Sequence, residues 1–202
     1  MGKRQPYKCP SSKTEQLRER SKTMKVFLNP GHDRKLDSGA INRTLKLREC
    51  DWAYDLGTRV KRYLEEQQVT VEMEQQDNLY EVCEHANKSG ADLFVSLHFN
   101  AFNTRSSGTE VFVSNTPPSV LLGHIILSHI HAVLPLPNRG IKERMELFVL
   151  RQTIMPAVLV EPCFIDNNAD VRMYTGKEDA CAKAIATGIM QYPTLTNHAQ
   201  KG

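Results

Sequence analysis

Four polar side chains stand where the apolar pattern of the sequence predicts burial or a strand end. His32 follows a Pro-Gly turn, His98 ends the run DLFVSLHF, and Glu161 ends the wholly apolar run AVLVE. Glu49 falls on the apolar stripe of a predicted helix, in its first turn. Burying an ionised carboxylate costs free energy unless it is paired or bound to a metal. These four side chains are therefore the candidates for chemistry.

Taken singly, these residues also have ordinary structural explanations. Glu49 could be a first-turn acid that faces solvent and favours the helix dipole, and a lone strand histidine is commonly a hydrogen-bonded structural residue. However, His32, His98 and Glu161 all fall at the carboxyl ends of predicted parallel strands, the edge at which open α/β sheets build their sites. Glu49 begins the helix that follows the first loop, so it can reach the same edge.

Two histidines and one carboxylate form the usual ligand set of a catalytic zinc ion, with a fourth position open for water. Such a site also needs a second carboxylate that does not bind the metal, so that it can take the proton from that water. The pattern therefore predicts a hydrolytic zinc site, without deciding which glutamate has which role.

The elements that must position these residues alternate between strands and helices. The predicted strands are 25–29, 69–73, 92–99, 109–114, 147–150 and 157–161, from their β-rich apolar runs. The predicted helices are 49–68, 77–90, 117–135 and 178–191, from their apolar stripes and their Asn, Pro and Gly boundaries. This alternation predicts an α/β fold: a single domain with a largely parallel central sheet flanked by helices.

The net charge of +3 belongs to the N-terminal segment. Residues 1–23 hold seven Lys/Arg and two Glu, whereas 24–202 hold 19 basic and 21 acidic residues. We expect a mobile basic tail over 1–23, a catalytic domain over 24–192 and a C-terminal tail over 193–202. Because the body has no basic footprint, a nucleic-acid partner is not expected. No apolar stretch nears the ~20 residues of a membrane span, and no signal peptide is visible at the start.

Cysteine and histidine residues offer two rival sites. Five cysteines without CxxC spacing favour reduced, buried thiols over a disulfide framework or a zinc knuckle. Cys163 beside a histidine could instead be the nucleophile of a thiol hydrolase, although a buried structural thiol is the preferred interpretation. The group His124, His129 and His131 is interpreted as ordinary helix histidines, because only 124 and 131 share a helix face.

Six sequence blocks, in order, carry a resemblance to a known family. They are NPGHDRKLDSGA at 29–40, LRE at 47–49, VSLHFNA at 95–101, NRGIK at 138–142, LFVLR at 147–151 and MPAVLVEPCFIDN at 155–167. From about Val26 to Tyr192 the chain resembles the zinc-dependent N-acetylmuramoyl-L-alanine amidases of the Amidase_3 type, which are cell-wall hydrolases of bacteria and their phages.

The resemblance implies roles for the four residues. His32, Glu49 and His98 match the family's ligands to one zinc ion per chain, and Glu161 matches its catalytic glutamate. The implied substrate is peptidoglycan, cut at the amide between N-acetylmuramic acid and L-alanine, so the protein would act at the bacterial cell wall. The alternatives are a non-catalytic peptidoglycan-binding module with a structural zinc, and the Cys163 thiol hydrolase.

Overall fold

The structure, a computed structural model, describes residues 23–199, with side chains described as far as Pro193. Residues 1–22 and 200–202 lie outside the described residues, and with them most of the predicted basic tail. The strands are β1 (Lys25–Pro30), β2 (Ile41–Asn42), β3 (Leu47–Arg48), β4 (Thr70–Met73), β5 (Leu93–Leu97), β6 (Thr109–Val113), β7 (Asn138–Glu143) and β8 (Ala157–Glu161). The helices are α1 (Glu49–Glu65), α2 (Leu79–Ser89), α3 (Pro117–Val133), α4 (Phe148–Gln152), α5 (Asn168–Tyr174) and α6 (Glu178–Ala199).

A six-stranded sheet in the order β4-β1-β5-β8-β6-β7 forms the centre of the domain. The first four strands of this order are parallel to one another. β6 pairs with β8 in antiparallel register, and β7 is parallel to β6. β2 and β3 form a separate two-stranded hairpin. The carboxyl ends of β1, β5 and β8 therefore meet at one edge, which holds the candidate residues.

The helix boundaries follow from capping residues in the sequence. The Asn78 side chain accepts a hydrogen bond from Glu81 N at the start of α2, and Gly90 ends that helix in the left-handed conformation at φ 70°. Thr116 caps α3 in the same way as Asn78 caps α2, and prolines occupy the first turn of α3. Both helices begin and end close to the positions that the sequence predicts.

Side chains that alternate along the strands build two apolar layers. On one face of the sheet Val26, Leu28, Val95 and Leu97 pack with α1, α3 and α6. On the other face Phe27, Phe94, Phe112 and Leu159 pack with the smaller helices α2 and α4. Glu161 comes two residues after Leu159 and His98 four residues after Phe94, so by strand periodicity both functional candidates belong to the face of the smaller helices.

The short elements β2, β3 and α5 were not predicted, and three further elements differ from the sequence-based expectations. The predicted strand at 147–150 is wrong: Phe148–Gln152 is helical, and Val149 and Leu150 pack into the layer beside β8. The actual strand is β7, whose polar and partly exposed sequence NRGIKE hides it from an apolar pattern. The final helix continues to Ala199 with Pro193 inside it, beyond the predicted end at Gln191 and into the predicted C-terminal tail.

Candidate active site

The turn after β1 brings His32 to the carboxyl edge of the sheet. Gly31 N donates to Leu97 O at 2.8 Å, while the Gln75 side chain donates to Gly31 O at 3.0 Å. His32 itself has φ 64°, a left-handed conformation that turns the chain into the following loop. The imidazole of His98 packs directly on Gly31, where an added Cβ would lie 2.2 Å from His98 Cε1. A larger residue at position 31 would therefore require the His98 imidazole to move.

Glu49, the first residue of α1, joins these histidines. Its side chain is buried, with the residue 5% exposed. Oε1 lies 2.9 Å from His98 Nδ1 and accepts a hydrogen bond from Phe99 N at 3.0 Å. Oε2 lies 3.0 Å from His32 Nε2 and accepts one from Ala40 N at 2.9 Å. The side chain thus points into the sheet edge and does not face solvent.

The two imidazoles and the Glu49 carboxylate form a compact donor set. One ligand atom from each lies within 4.8 Å of the others, and His32, Glu49 and His98 are the one such group found among residues 23–193, whose side chains the structure describes. The imidazole rings are 5.0 Å apart between centroids and nearly perpendicular. Two imidazole nitrogens and a carboxylate oxygen are the donor set of a catalytic zinc site. The residues present therefore fit a zinc ion.

Electrostatics couple these groups tightly in the metal-free chain. Burial lowers the pKa of His32, but hydrogen bonds and charges from Glu49 and Asp37 outweigh it and raise that pKa to about 9. Burial raises the pKa of Glu49, and the two histidines reverse this and hold it well below its usual range. Asp37 Oδ2 lies 2.6 Å from His32 Nδ1. This contact leaves Nε2 of His32 for the site and orients the ring.

Glu161 ends β8 at the same edge and is 7% exposed. Its Oε2 is buried without a hydrogen-bond partner among the described residues. Burial, followed by the nearby charges of Glu49 and Glu110, raises the pKa of Glu161 well above its usual value. An unpartnered buried carboxyl oxygen is costly, and such a group at a site edge is suited to accepting and donating a proton.

Glu110 stands directly opposite Glu161 in the antiparallel register of β6 and β8. It is 3% exposed and its carboxylate is fully engaged. Asn100 Nδ2 and Lys142 Nζ each donate to it, and Arg139 Nε donates to its Oε2 at 3.2 Å. The sequence analysis missed Glu110 and Asp37. The signal for Glu110 was available, because it is a charge inside the buried strand TEVFV.

Two depressions of different character adjoin this site. A cavity of about 190 Å³ has His32 and His98 in its wall and is otherwise mainly apolar, with Leu79, Phe148 and Leu159 among its lining residues. A larger cleft of about 720 Å³ is lined mainly by polar side chains and includes Ala40, whose backbone N–H donates to Glu49 Oε2.

The rival sites of the sequence analysis gain no support from the geometry. Cys163 is 0% exposed, and burial raises the pKa of its thiol well above the usual value, so it is unsuited to be a nucleophile. His129 Nε2 lies 2.6 Å from Gln191 Oε1. Within the described part of the chain, no cluster of potential metal ligands contains His124, His129 or His131.

The fold and the site together define a single α/β domain with a His-Glu-His centre and a buried carboxyl group at the carboxyl edge of a mostly parallel sheet. Comparison of the chain with known proteins identifies the family to which it belongs. The sequence profile of the N-acetylmuramoyl-L-alanine amidases of the Amidase_3 type matches residues 26–191, and the chain belongs to that family.

Individual relatives agree with this placement. The chain is 33% identical over 177 residues to the N-acetylmuramoyl-L-alanine amidase LytC of Bacillus subtilis strain 168, covering 83% of this chain and 35% of LytC. It is 34% identical over 173 residues to an endolysin of Bacillus phage SPP1, covering 81% of this chain and 62% of the endolysin. The solved catalytic domain of CwlV, an N-acetylmuramoyl-L-alanine amidase from Bacillus (Paenibacillus) polymyxa var. colistinus, superposes with TM-score 0.78 at 26% identity, covering 85% of this chain and 99% of that domain.

The chain corresponds to part of several relatives. It spans between 35% and 65% of the length of four curated proteins that it matches. Among the helices of residues 23–199, none combines the length and apolar character that a membrane span requires.

Proposed function

We propose that this protein is a zinc-dependent peptidoglycan hydrolase that cleaves the amide between N-acetylmuramic acid and L-alanine of the stem peptide. The observation that carries the proposal is the buried, unpartnered Oε2 of Glu161 beside a donor set of zinc type. Membership of the amidase family and the names of the relatives support the same activity. The site of action is accordingly the bacterial cell wall.

His32, Glu49 and His98 would hold one zinc ion per chain. When bound, zinc supplies Lewis acidity, which acidifies water and polarises a carbonyl. Asp37 fixes the orientation of His32, and Ala40 N and Phe99 N fix that of Glu49. These contacts hold the donor atoms in place before any substrate arrives, which reduces the reorganisation that the reaction requires.

Glu161 is the residue to which we assign proton transfer. Its carboxylate form takes a proton at Oε2 from the attacking water, and the acid then delivers that proton to the departing nitrogen of L-alanine. Burial favours the neutral acid, whereas a nearby cation favours the carboxylate. A carboxyl group whose pKa is subject to these opposed influences can both accept and donate a proton.

A non-catalytic peptidoglycan-binding module is the alternative. Such a module has no need for an unpartnered carboxyl group at the site edge, because burying Glu161 without a partner only destabilises the fold. All three donor residues and Glu161 are in place in the described structure. An amidase requires a carboxyl group that can exchange protons, which explains why Glu161 is buried without a partner at Oε2. A binding module offers no such explanation.

The test is a digestion of purified peptidoglycan, with identification of the new chain ends. We expect new amino termini of L-alanine and no new reducing sugar ends, and a loss of both activity and bound zinc on chelation. The variant His98→Ala should be inactive, whereas the matched variant His124→Ala, at an exposed helix position, should digest like the wild type. New reducing ends without new amino termini would instead identify a glycosidase.

A further inference from the structure

The polar cleft beside the metal centre is a built feature of the fold. Its walls are the β2–β3 hairpin, the loop after β5 and the segment that leads into α5. Asn42, at 3% exposed, joins two of these walls by donating to Ile165 O at 2.9 Å and Asn168 Oδ1 at 2.8 Å. The Asn42 Oδ1 accepts from Leu45 N and fixes the hairpin turn. The cleft therefore has a defined width.

Two arginines supply the accessible charge of this cleft. Arg43 projects from the hairpin and Arg172 from α5; both are exposed and line the cleft. Arg172 is four residues after Asn168, so the two share one face of the helix. Among residues 23–199 neither arginine takes part in one of the ion pairs that the structure contains. Both guanidinium groups are thus free to bind an anion.

One acidic side chain, Asp166, also lines the cleft. Its Oδ2 accepts hydrogen bonds from Phe102 N at 3.0 Å and Thr104 N at 2.8 Å. Its Oδ1 is buried. Through Oδ2 the carboxylate holds the loop after β5, and the two arginines outnumber this one carboxylate among the residues that line the cleft.

The two depressions differ in the charge of their lining residues, and this difference indicates which side of the scissile amide each of them could bind. The apolar cavity carries the carboxylates of Asp37 and Asp77 in its wall and has no Lys or Arg among its described lining residues. The cleft carries the two arginines, and one of its lining residues, Ala40, donates its backbone N–H to Glu49 Oε2. Of the two sides of the scissile amide, the peptide side bears free carboxylates and the muramoyl side does not.

We infer that the cleft is the subsite for the stem peptide, and that Arg43 and Arg172 determine specificity by pairing with its carboxylates. The inference rests on the proposed amidase function. It predicts that stems whose carboxylates are amidated are poorer substrates than stems with free carboxylates, because amidation removes the charge with which the arginines pair.

The test uses the zinc-loaded chain and two synthetic probes, L-alanyl-D-glutamate and its uncharged diamide. By titration calorimetry we expect the acid to bind about fivefold or more tightly than the diamide, as two partly exposed ion pairs would give. In the double variant Arg43→Gln/Arg172→Gln this preference should disappear. Arg105→Gln is the matched control, since Arg105 is an exposed arginine in the neighbouring loop that does not line the cleft.

The outcomes separate this inference from the proposed function. Equal binding of both probes to the wild type, or no binding of the acid at millimolar concentration, would overturn the inference. A preference that survives in the double variant would overturn it as well, because the carboxylate would then be binding elsewhere, for example at the zinc ion. Digestion of peptidoglycan by the same preparations reports the amidase activity independently, so either conclusion can fail while the other stands.

Discussion

Each carboxylate oxygen of Glu49 meets one histidine and one backbone N–H. This arrangement explains how a buried acid is tolerated in the metal-free chain, since hydrogen-bonded and paired groups offset the cost of burial. Glu161 lacks such compensation at Oε2. The two glutamates therefore differ at the scale of single atoms: both oxygens of Glu49 have partners, whereas Oε2 of Glu161 has none among the described residues.

We expect Glu161→Gln to separate metal binding from chemistry. The amide keeps the size of the side chain but cannot accept the proton of water, so turnover should fall by roughly 10²–10⁴-fold. Zinc content should stay near one per chain, and the melting temperature should stay near the wild-type value. Metal analysis, calorimetry and a muropeptide assay measure the three quantities.

His98→Ala is the counterpart of this variant, and it should lose zinc and activity together. If Glu161→Gln lost its zinc while His98→Ala kept it, the assigned roles of ligand and base would have to be exchanged. Wild-type turnover in Glu161→Gln would contradict the mechanism outright.

Sequence reasoning finds residues that violate the pattern of their own element. Glu161 ends an apolar strand and Glu49 lies on an apolar stripe, so both are conspicuous, and the structure brings them to one edge with His32 and His98. Asp37 lies in a polar loop where an aspartate is unremarkable, so its contact with His32 depends on a loop conformation that no local pattern encodes. The ligand and base roles themselves remain predictions for the experiments above.

At the scale of elements, strongly patterned segments were predicted well and weakly patterned ones were not. The helices α1, α2 and α3 have long apolar stripes and clear boundary residues, and all three are present. A run of four apolar residues such as LFVL fits a strand or a helix equally, and α4 is helical. β7 is a polar edge strand, which only its pairing with β6 reveals.

Strand direction was the other element-scale feature that the pattern left open. β5 and β6 are joined by eleven residues, 98–108, without a helix. A crossover between parallel strands needs a dozen or more residues, usually with a helix, so the short connection favours reversal of the chain. This reversal places Glu110 opposite Glu161.

Gly31→Ala should damage the metal centre more than the fold. The added Cβ would lie 2.2 Å from His98 Cε1, so the imidazole must move. We expect zinc affinity to fall about tenfold or more, as when the support of a metal ligand is lost. Competition with a chromogenic chelator measures the affinity.

Gly90→Ala is the matched control for this variant. Gly90 ends α2 at φ 70° with open space around it. An alanine there should cost about 1–2 kcal/mol of unfolding free energy through backbone strain and leave zinc affinity unchanged. The reverse pattern, in which Gly31→Ala binds zinc normally and Gly90→Ala does not, would disprove the proposed packing of the site.

At the scale of the whole molecule, we expect stability and metal binding to be linked through His32. Its pKa of about 9 in the folded metal-free chain exceeds the ordinary value of 6.5. The stabilisation from protonated His32 is therefore fully present below pH 6.5 and is lost as the pH rises through 9. Zinc binding requires the unprotonated imidazole, so its affinity should rise over the same interval.

The expected result is a widening gap between the melting temperatures of the zinc-loaded and chelated chains from pH 6.5 to 9. Differential scanning calorimetry across this range measures it. Asp37→Asn removes one of the two carboxylates that raise the pKa of His32, so this pKa should fall. The gap between the two melting temperatures should then begin to widen at lower pH. A gap that stays constant or narrows would show that His32 does not control metal binding.

The direction of β1 has a practical consequence for attaching the domain to a surface. β1 enters the sheet at Lys25 and reaches the metal centre at Pro30, so its two ends are separated by ~17 Å. A linker joined ahead of residue 23 therefore leaves from the edge of the sheet opposite the cleft. If the domain were immobilised on a bead or fused to a carrier through that end, its cleft would face outward. The cleft would then be accessible to peptidoglycan, which is insoluble and cannot diffuse to the protein.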